Sequence, residues 1–290
     1  MADPRLKDKV AIVTGGAAGI GEAISHKFAS EGASVIVCGL PDDPVREVVD
    51  AINEHGGKAV GFIGDISDEQ EAEKCVKTAI DEFGKLDILI NNAGFLDGME
   101  ETQDFPIEAF DRMFKWNVRS AFLMTKFALP FLQKTKGNIV SAGSEAGFNG
   151  IANFTPYGAT KAALHSFMKG VAVEQAKYGV RANCVCPGPI DTAWTHSSMG
   201  PMDKKTEKMT LSATPLGRRG TPEEVANVYA FIASDEASYV TGATWLVDGG
   251  ITPAHGNIGD MATDSTEPKD KLDLDNQYEG LTDKPLTANV

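Results

Sequence analysis

The chain has 290 residues, 42% hydrophobic and 23% charged, which suits one large globular domain or two small ones. Its net charge of −14 has the wrong sign for a nucleic-acid surface, which needs clustered Lys and Arg. The opening MADPRLKDKV lacks the apolar stretch of a secretory signal, and no apolar run approaches the ~20 residues of a membrane span, so a cytoplasmic protein acting away from membranes is expected.

VAIVT (10–14) is the first strand candidate, and VTGGAAGIGEAI (13–24) then turns through glycines into a helix. Such a turn is either a tight structural bend or a cradle for a pyrophosphate, where free helical N–H groups attract anions. SVIVC (34–38) follows and stops at Gly39-Leu40, and PDDP reads as the turn that closes it. KAVGF (58–62) is third, followed by the amphipathic DEQEAEKCVKTAIDEFG with apolar residues three and four apart. LDILIN (86–91) runs into NNAG, and KWNVRSAF puts Asn117 in a helical stretch. GNIVSA (137–142) ends in small residues just before Ser144. TPYGATKAALHSF (155–167) is helical, with Pro156 preset near its start and Tyr157 and Lys161 four apart on one face. VRANCVC (180–186) and TWLVD (244–248) complete seven strands.

Strands that are apolar throughout imply a parallel sheet covered on both faces. An open doubly wound sheet and an eight-stranded barrel both meet that condition, and seven strands with a glycine-rich first turn favour the open sheet. The fold class is therefore α/β, a Rossmann-type doubly wound parallel seven-stranded sheet in a single domain over residues 1–256. Residues 257–290 form an acidic extension, with eight acids against three lysines, that is either disordered or packed on a neighbouring subunit. Cys38, Cys75, Cys184 and Cys186 read as buried free thiols; they lack a second ligand cluster, so no metal is expected.

A lysine four residues from a tyrosine is usually a surface pair, but it can also draw a phenol towards phenolate and make it an acid/base group. Here Tyr157 is accompanied by Asn117 in its helical stretch, and by Ser144 and NNAG at strand ends that share one crevice. TGGAAGIG, NNAG, Asn117, Ser144, YGATK and PGPIDT (187–192), in this order and spacing, resemble the short-chain dehydrogenase/reductase family over roughly residues 6–251. The resemblance implies a nicotinamide cofactor and hydride transfer between it and a secondary alcohol or ketone. It makes Tyr157 the general acid/base, Lys161 the ribose ligand that lowers the Tyr157 pKa, Ser144 the partner of the reacting oxygen, and Asn117 the holder of a relay water. It assigns the cofactor to Gly15, Ala18, Gly19, Ile20 and Gly21, to Asp65 and Ile66, to Asn91, Ala93 and Gly94, and to Pro187, Gly188, Ile190 and Thr192. Phe95, Glu145, Asn149, Trp194 and His196 are candidates to line the substrate, with Leu96, Phe148, Asn153, Met199 and Met202 beside them. A homotetramer is expected, with a dimer second.

Two other functions fit the same fold: a non-catalytic dinucleotide-binding or regulatory protein, and an epimerase or dehydratase using bound NAD. The first commonly loses part of the Tyr–Lys–Ser–glycine set, which is complete here; the second needs more chain after the sixth strand. Cofactor choice turns on the end of SVIVC, where Gly39 and Leu40 replace the usual acid or base. An NADP phosphate would meet Asp42 and Asp43, with Arg46 the one nearby cation, so NAD(H) is favoured over NADP(H). Asp42 is then the expected hydroxyl partner, and Leu40 lies against the adenosine.

Overall fold

Alternation along buried strands is what builds this fold. The strands are β1 (Val10–Thr14), β2 (Ser34–Gly39), β3 (Lys58–Ile63), β4 (Ile88–Asn91), β5 (Asn138–Ala142), β6 (Arg181–Pro187) and β7 (Thr244–Val247). They form one sheet in the order β3-β2-β1-β4-β5-β6-β7, and every neighbouring pair is parallel. The computed structural model describes residues 4–195 and 203–254.

The helices are α1 (Gly19–Ser30), α2 (Val45–Glu54), α3 (Glu69–Phe83), α4 (Ile107–Met113), α5 (Ser120–Thr135), α6 (Thr155–Gln175), α7 (Lys204–Ala213) and α8 (Pro222–Ala233). Because successive strand residues point to opposite faces, the sheet feeds two cores. Val13, Val35, Val37 and Val185 pack with Ile24 and Phe28 of α1, Val48 of α2 and Tyr229 of α8. Ile12, Ile36, Leu89 and Ile139 pack with Val76 of α3, Leu123 and Met124 of α5 and Met168 of α6. All seven predicted strands are present. Both faces are fully covered only toward the sheet centre: in β3 only Ala59 is buried and β7 is mostly half-exposed, because each lies at an edge.

Helix ends follow local chemistry. Asp68 caps α3 by accepting from the Gln70 and Glu71 N–H groups, and Gly84 ends it in the left-handed region. Thr221 and Glu224 close a capping box on α8, with Pro222 in the first turn. Parallel strands deliver Thr14, Gly39, Asn91, Ala142 and Pro187 to one edge of the sheet.

The opposite edge is held by Arg181, whose guanidinium donates to the carbonyls of Val240 (3.0 Å), Ile232 (2.9 Å) and Ser234 (3.1 Å). Arg181→Met strands these acceptors and is expected to cost about 2–4 kcal/mol of stability, by the worth of hydrogen bonds to a charged donor. Thermal denaturation checks the loss, and unchanged nucleotide binding checks that the far edge is untouched.

Candidate active site

The glycine turn after β1 is set by how closely backbones meet. Gly15 (φ +58°) and Gly19 (φ +52°) adopt left-handed backbone, and a Cβ on Gly21 would lie 1.8 Å from the Gly15 carbonyl. Helix α1 therefore starts directly on the turn, with Ala18 at its N-cap and Ile20 in its first turn. Thr14 and Asn92 brace this arrangement. Thr14 Oγ1 accepts from the N–H groups of Asn92 and Ala93, both at 3.0 Å, and Asn92 Nδ2 donates to the Thr14 and Gly15 carbonyls, both at 3.1 Å. Neither residue was singled out from sequence. Asn91, which was, turns inward instead and donates to Thr125 Oγ1 (3.1 Å) and Ser141 Oγ (3.3 Å).

Close backbone approach continues around the cradle that results. A Cβ on Gly15 would meet Ala93 at 3.1 Å, one on Gly19 would meet Thr192 at 3.3 Å, and one on Gly94 would meet the Lys161 ammonium at 3.1 Å. The PGPIDT segment thus returns to the glycine turn, with Gly188 packed on Asp248 and Ile190 bridged to Gly220. At the far end Ile66 is buried, and Asp65 accepts from Ser67 N–H (2.9 Å) and Oγ–H (2.6 Å) and pairs with Lys115 (3.5 Å). Burial pushes the Asp65 carboxyl up, but Ser67 and Lys115 outweigh it and leave its pKa lowered.

At the end of β2, Leu40 and Asp42 are exposed, while Asp43 folds back. Its Oδ2 accepts from the Leu40 N–H at 2.7 Å and lies 2.9 Å from where a Gly39 Cβ would sit. Asp43, not Asp42, therefore brings its carboxylate against the strand end. The missed signal was the acid three residues after Leu40, at the spacing of a side chain that closes its own turn.

The residues expected to act as acid and base converge from three elements. Lys161 is 3% exposed and donates to the Ala142 carbonyl at 2.9 Å. Asn117 sits in a π-helical turn, Phe114–Arg119, between α4 and α5, the kind of bulge that re-aims a side chain. Its Nδ2 donates to the Phe95 carbonyl (2.9 Å) and Thr160 Oγ1 (3.1 Å), its Oδ1 accepts from the Phe95 N–H (2.7 Å), and Thr160 Oγ1 donates to the Tyr157 carbonyl (2.7 Å). Ser144 follows β5 by two residues and faces the Tyr157 phenol closely enough to draw its pKa down.

The expected pull of Lys161 on Tyr157 is not what the structure has. Tyr157 is half-exposed by surface area, yet the protein around its phenol desolvates it and, with a push from Glu145, moves it up to about 12 against the Ser144 hydrogen bond. The Lys161 ammonium, 5.5 Å from the Tyr157 ring centre and tied to Ala142, is itself pushed down to about 8 by burial. Desolvation outweighs attraction here, because neither charge is welcome in the same dry corner.

Of the substrate-lining candidates, Phe95 is half-buried and edge-on to Trp116, 5.0 Å between ring centres. Glu145 follows Ser144 directly, and Asn149 donates to Thr252 Oγ1 at 3.0 Å. Burial, then Asp248, push Glu145 up to about 7. The Trp194 side chain and His196, Met199 and Met202 fall outside the described residues, as does the 257–290 extension. All four cysteines are buried free thiols.

Glu145 raises the Tyr157 pKa, so removing its charge should lower it. In Glu145→Gln, the limb of an oxidation pH–rate profile that reports deprotonation of Tyr157 is expected to move to lower pH. An unmoved or alkaline-shifted limb contradicts this placement.

Three comparisons agree with the geometry. A family model described as enoyl-(acyl carrier protein) reductase matches residues 15–252. An L-fucose dehydrogenase of Bos taurus is 34% identical, covering 91% of this chain and 97% of its own. An L-rhamnose 1-dehydrogenase (NAD(P)(+)) of a Sphingomonas species is 37% identical, covering 85% of this chain and 97% of its own. Among solved structures, a 7α-hydroxysteroid dehydrogenase complexed with NADH and 7-oxo glycochenodeoxycholic acid superposes with a TM-score of 0.79 at 37% identity, covering 86% of this chain and 96% of its own.

Proposed function

Since this chain belongs to the short-chain dehydrogenase/reductase family and is an oxidoreductase acting on CH–OH or C=O groups with a nicotinamide cofactor, we propose that Tyr157 is its proton-transfer group and that it prefers NAD(H). The observation that carries the first part is the convergence of Tyr157, Ser144, Lys161 and Asn117 beside the glycine cradle.

Bound nicotinamide supplies the hydride acceptor or donor; the protein manages the proton and the geometry. In the reducing direction Tyr157 gives its phenolic proton to the substrate oxygen as negative charge develops there. Ser144 donates a second hydrogen bond to the same oxygen, a stabilisation realised only as charge appears. A phenol near 12 holds its proton at neutral pH, which suits a donor. Lys161, near 8, is poised to pass a proton on, and Thr160 and Asn117 extend the polar path from the Tyr157 carbonyl to Phe95.

Residues that would hold the dinucleotide are those of the cradle: Gly15, Ala18, Gly19, Ile20 and Gly21 at the pyrophosphate, Asp65 and Ile66 at the adenine, and Ala93, Gly94, Lys161, Pro187, Gly188, Ile190 and Thr192 towards the nicotinamide. The preference for NAD(H) rests on the acids at the end of β2, with Leu40 against the adenosine and a carboxylate from Asp42 or Asp43 for the ribose hydroxyls. Asp43 is the better placed, since only its Oδ2 is engaged by Leu40. For substrate, we propose a secondary alcohol or ketone carried on a ring, with Phe95 and Glu145 on the wall. Sugars and a steroid appear in the names of the relatives, and both carry such a group.

A homotetramer in the cytoplasm completes the proposal. Phe114, Val118, Phe122 and Phe167 line an apolar surface depression that a second copy would cover, and among the described residues no helix is long and apolar enough to cross a membrane. Sedimentation gives the assembly directly.

Tyr157→Phe is expected to lower turnover by about 10²–10⁴-fold, the usual worth of a general acid/base, while NADH affinity by fluorescence titration stays within about twofold. Retained turnover in that variant overturns the assignment. NADH is expected to bind more tightly than NADPH, and the difference to shrink in Asp43→Asn. An absorbance screen of sugars, ring alcohols and ring ketones with NAD(H) and NADP(H) names the substrate class.

A further inference from the structure

Tyr157 and Lys161 do not exhaust the face of α6 that meets the sheet. His165 lies four residues beyond Lys161, is 5% exposed, and has no part in the proton path above. Its ring is enclosed by the loop that carries Ser144. Nε2 lies 3.4 Å from the Ser144 backbone nitrogen and 3.2 Å from Cys186 Sγ, and Phe148 stacks on the ring with 4.6 Å between centres. Two glycines mark how tightly the loop wraps it. A Cβ on Gly143 would lie 2.4 Å from Nε2, and one on Gly147 would lie 2.5 Å from Cε1.

The protonation states follow from these surroundings. Burial, with Lys161 and Lys169 adding to it, pushes His165 down to about 4, and burial pushes the Cys186 thiol up to about 12. Imidazole and thiol are therefore both neutral across the working range. The Ser144 N–H points at Nε2 and is shared with Cys186 Sγ, so Nε2 acts as an acceptor and the ring proton belongs on Nδ1.

We propose that His165 is a positioning residue for the reaction: it grips the Ser144 backbone from behind and so fixes where the Ser144 hydroxyl is presented. Ser144 Oγ also accepts from the Ala146 N–H at 3.1 Å, so main chain and side chain are tied to one short 3₁₀ turn, Glu145–Gly147. A loop built of small residues has little packing of its own to hold it. The His165 ring supplies the wall for both glycines and the acceptor for the Ser144 N–H. One helix then carries the proton donor, the lysine and the support of the second hydrogen bond, so their relative placement is set within a single rigid element. This inference rests on Ser144 acting at the substrate oxygen.

The test uses His165→Leu, which keeps bulk and removes the acceptor, and His165→Gln, which offers Oε1 near the place of Nε2. Each is made alone and with Ser144→Ala in the full chain. Amide hydrogen exchange at Ser144, read by NMR without substrate, is expected to accelerate at least about tenfold in His165→Leu and to be largely restored in His165→Gln, as loss and recovery of one hydrogen bond predict. With the best substrate from the screen, kcat is expected to fall about tenfold in His165→Leu with KM and NADH affinity nearly unchanged, the signature of lost transition-state placement. In the Ser144→Ala background the same change should cost less than about twofold, because the residue it positions is gone.

Unchanged Ser144 exchange in His165→Leu overturns the proposal, as does a kcat loss that persists in full beside Ser144→Ala. If His165→Leu does not fold, His165→Gln and Cys186→Ala decide through the exchange rate alone. Full activity of Ser144→Ala itself would instead refute the role given to Ser144, a different failure that the exchange measurement separates.

Discussion

The distance at which α1 can approach the end of β1 governs everything on the functional edge. Gly21 has no room for a Cβ beneath the Gly15 carbonyl, and because none is present the helix starts directly over the turn. That same Gly15 carbonyl receives the Asn92 amide, so the turn is fixed from the β4 side as well. Gly16 N–H, donating to the Cys38 carbonyl at 2.9 Å, fixes it from the β2 side. Three adjacent strand ends are thereby registered to one loop, and Ser144 after β5, Asn117 in the turn before α5 and Tyr157 and Lys161 on α6 inherit their distance from the glycine turn. Gly94 against Lys161 is the other end of the same constraint.

Much of this was legible before any coordinates. The central strands announce themselves because both faces are buried and all but the last residue is apolar, as in VAIVT and ILIN. The spacing of Tyr157 and Lys161 is a helix-face relation, and helices preserve it. What sequence could not convey depends on groups distant along the chain. Asn91 and Asn92 are neighbours with identical side chains, and only the pleat decides that one faces the core and the other the glycine turn. Asp43 folds back on the Leu40 N–H while Asp42 stays exposed, a difference that two adjacent aspartates do not announce. His165 in a helical run reads as one more polar residue until Gly143, Gly147 and Phe148 are seen around it.

The electrostatics show the same divide. Proximity suggested an ammonium that acidifies a phenol, but a pair placed in a poorly solvated corner resists both charges, and burial moved each group towards its neutral form. Glu145 adds to the rise at Tyr157, and Asp248 in turn raises Glu145. Asp248 holds the chain after β7 by accepting from the Gly250 (3.0 Å) and Thr252 (2.9 Å) N–H groups, and Thr252 in turn receives Asn149. The turn after the last strand is thus connected to the loop that follows Ser144. Changes in that turn reach the site through Asn149 and the field of Asp248, without touching the reacting groups.

Lys161 carries a thermodynamic cost that its position makes unavoidable. Its proton is held at about 8 in the folded protein against 10.5 for the free side chain, so below pH 8 the native state carries a charge that the unfolded chain solvates better. The difference corresponds to about 3 kcal/mol by linkage. It is relieved as pH rises from 8 towards 10, where the unfolded chain still binds the proton and the native state no longer does. Above 10 Tyr157 works the other way, since its folded value near 12 makes the native state the tighter proton binder. Tyr157 and Lys161 thus leave an alkaline shoulder in the stability curve, a trace of this buried corner that calorimetry can see with no substrate in hand.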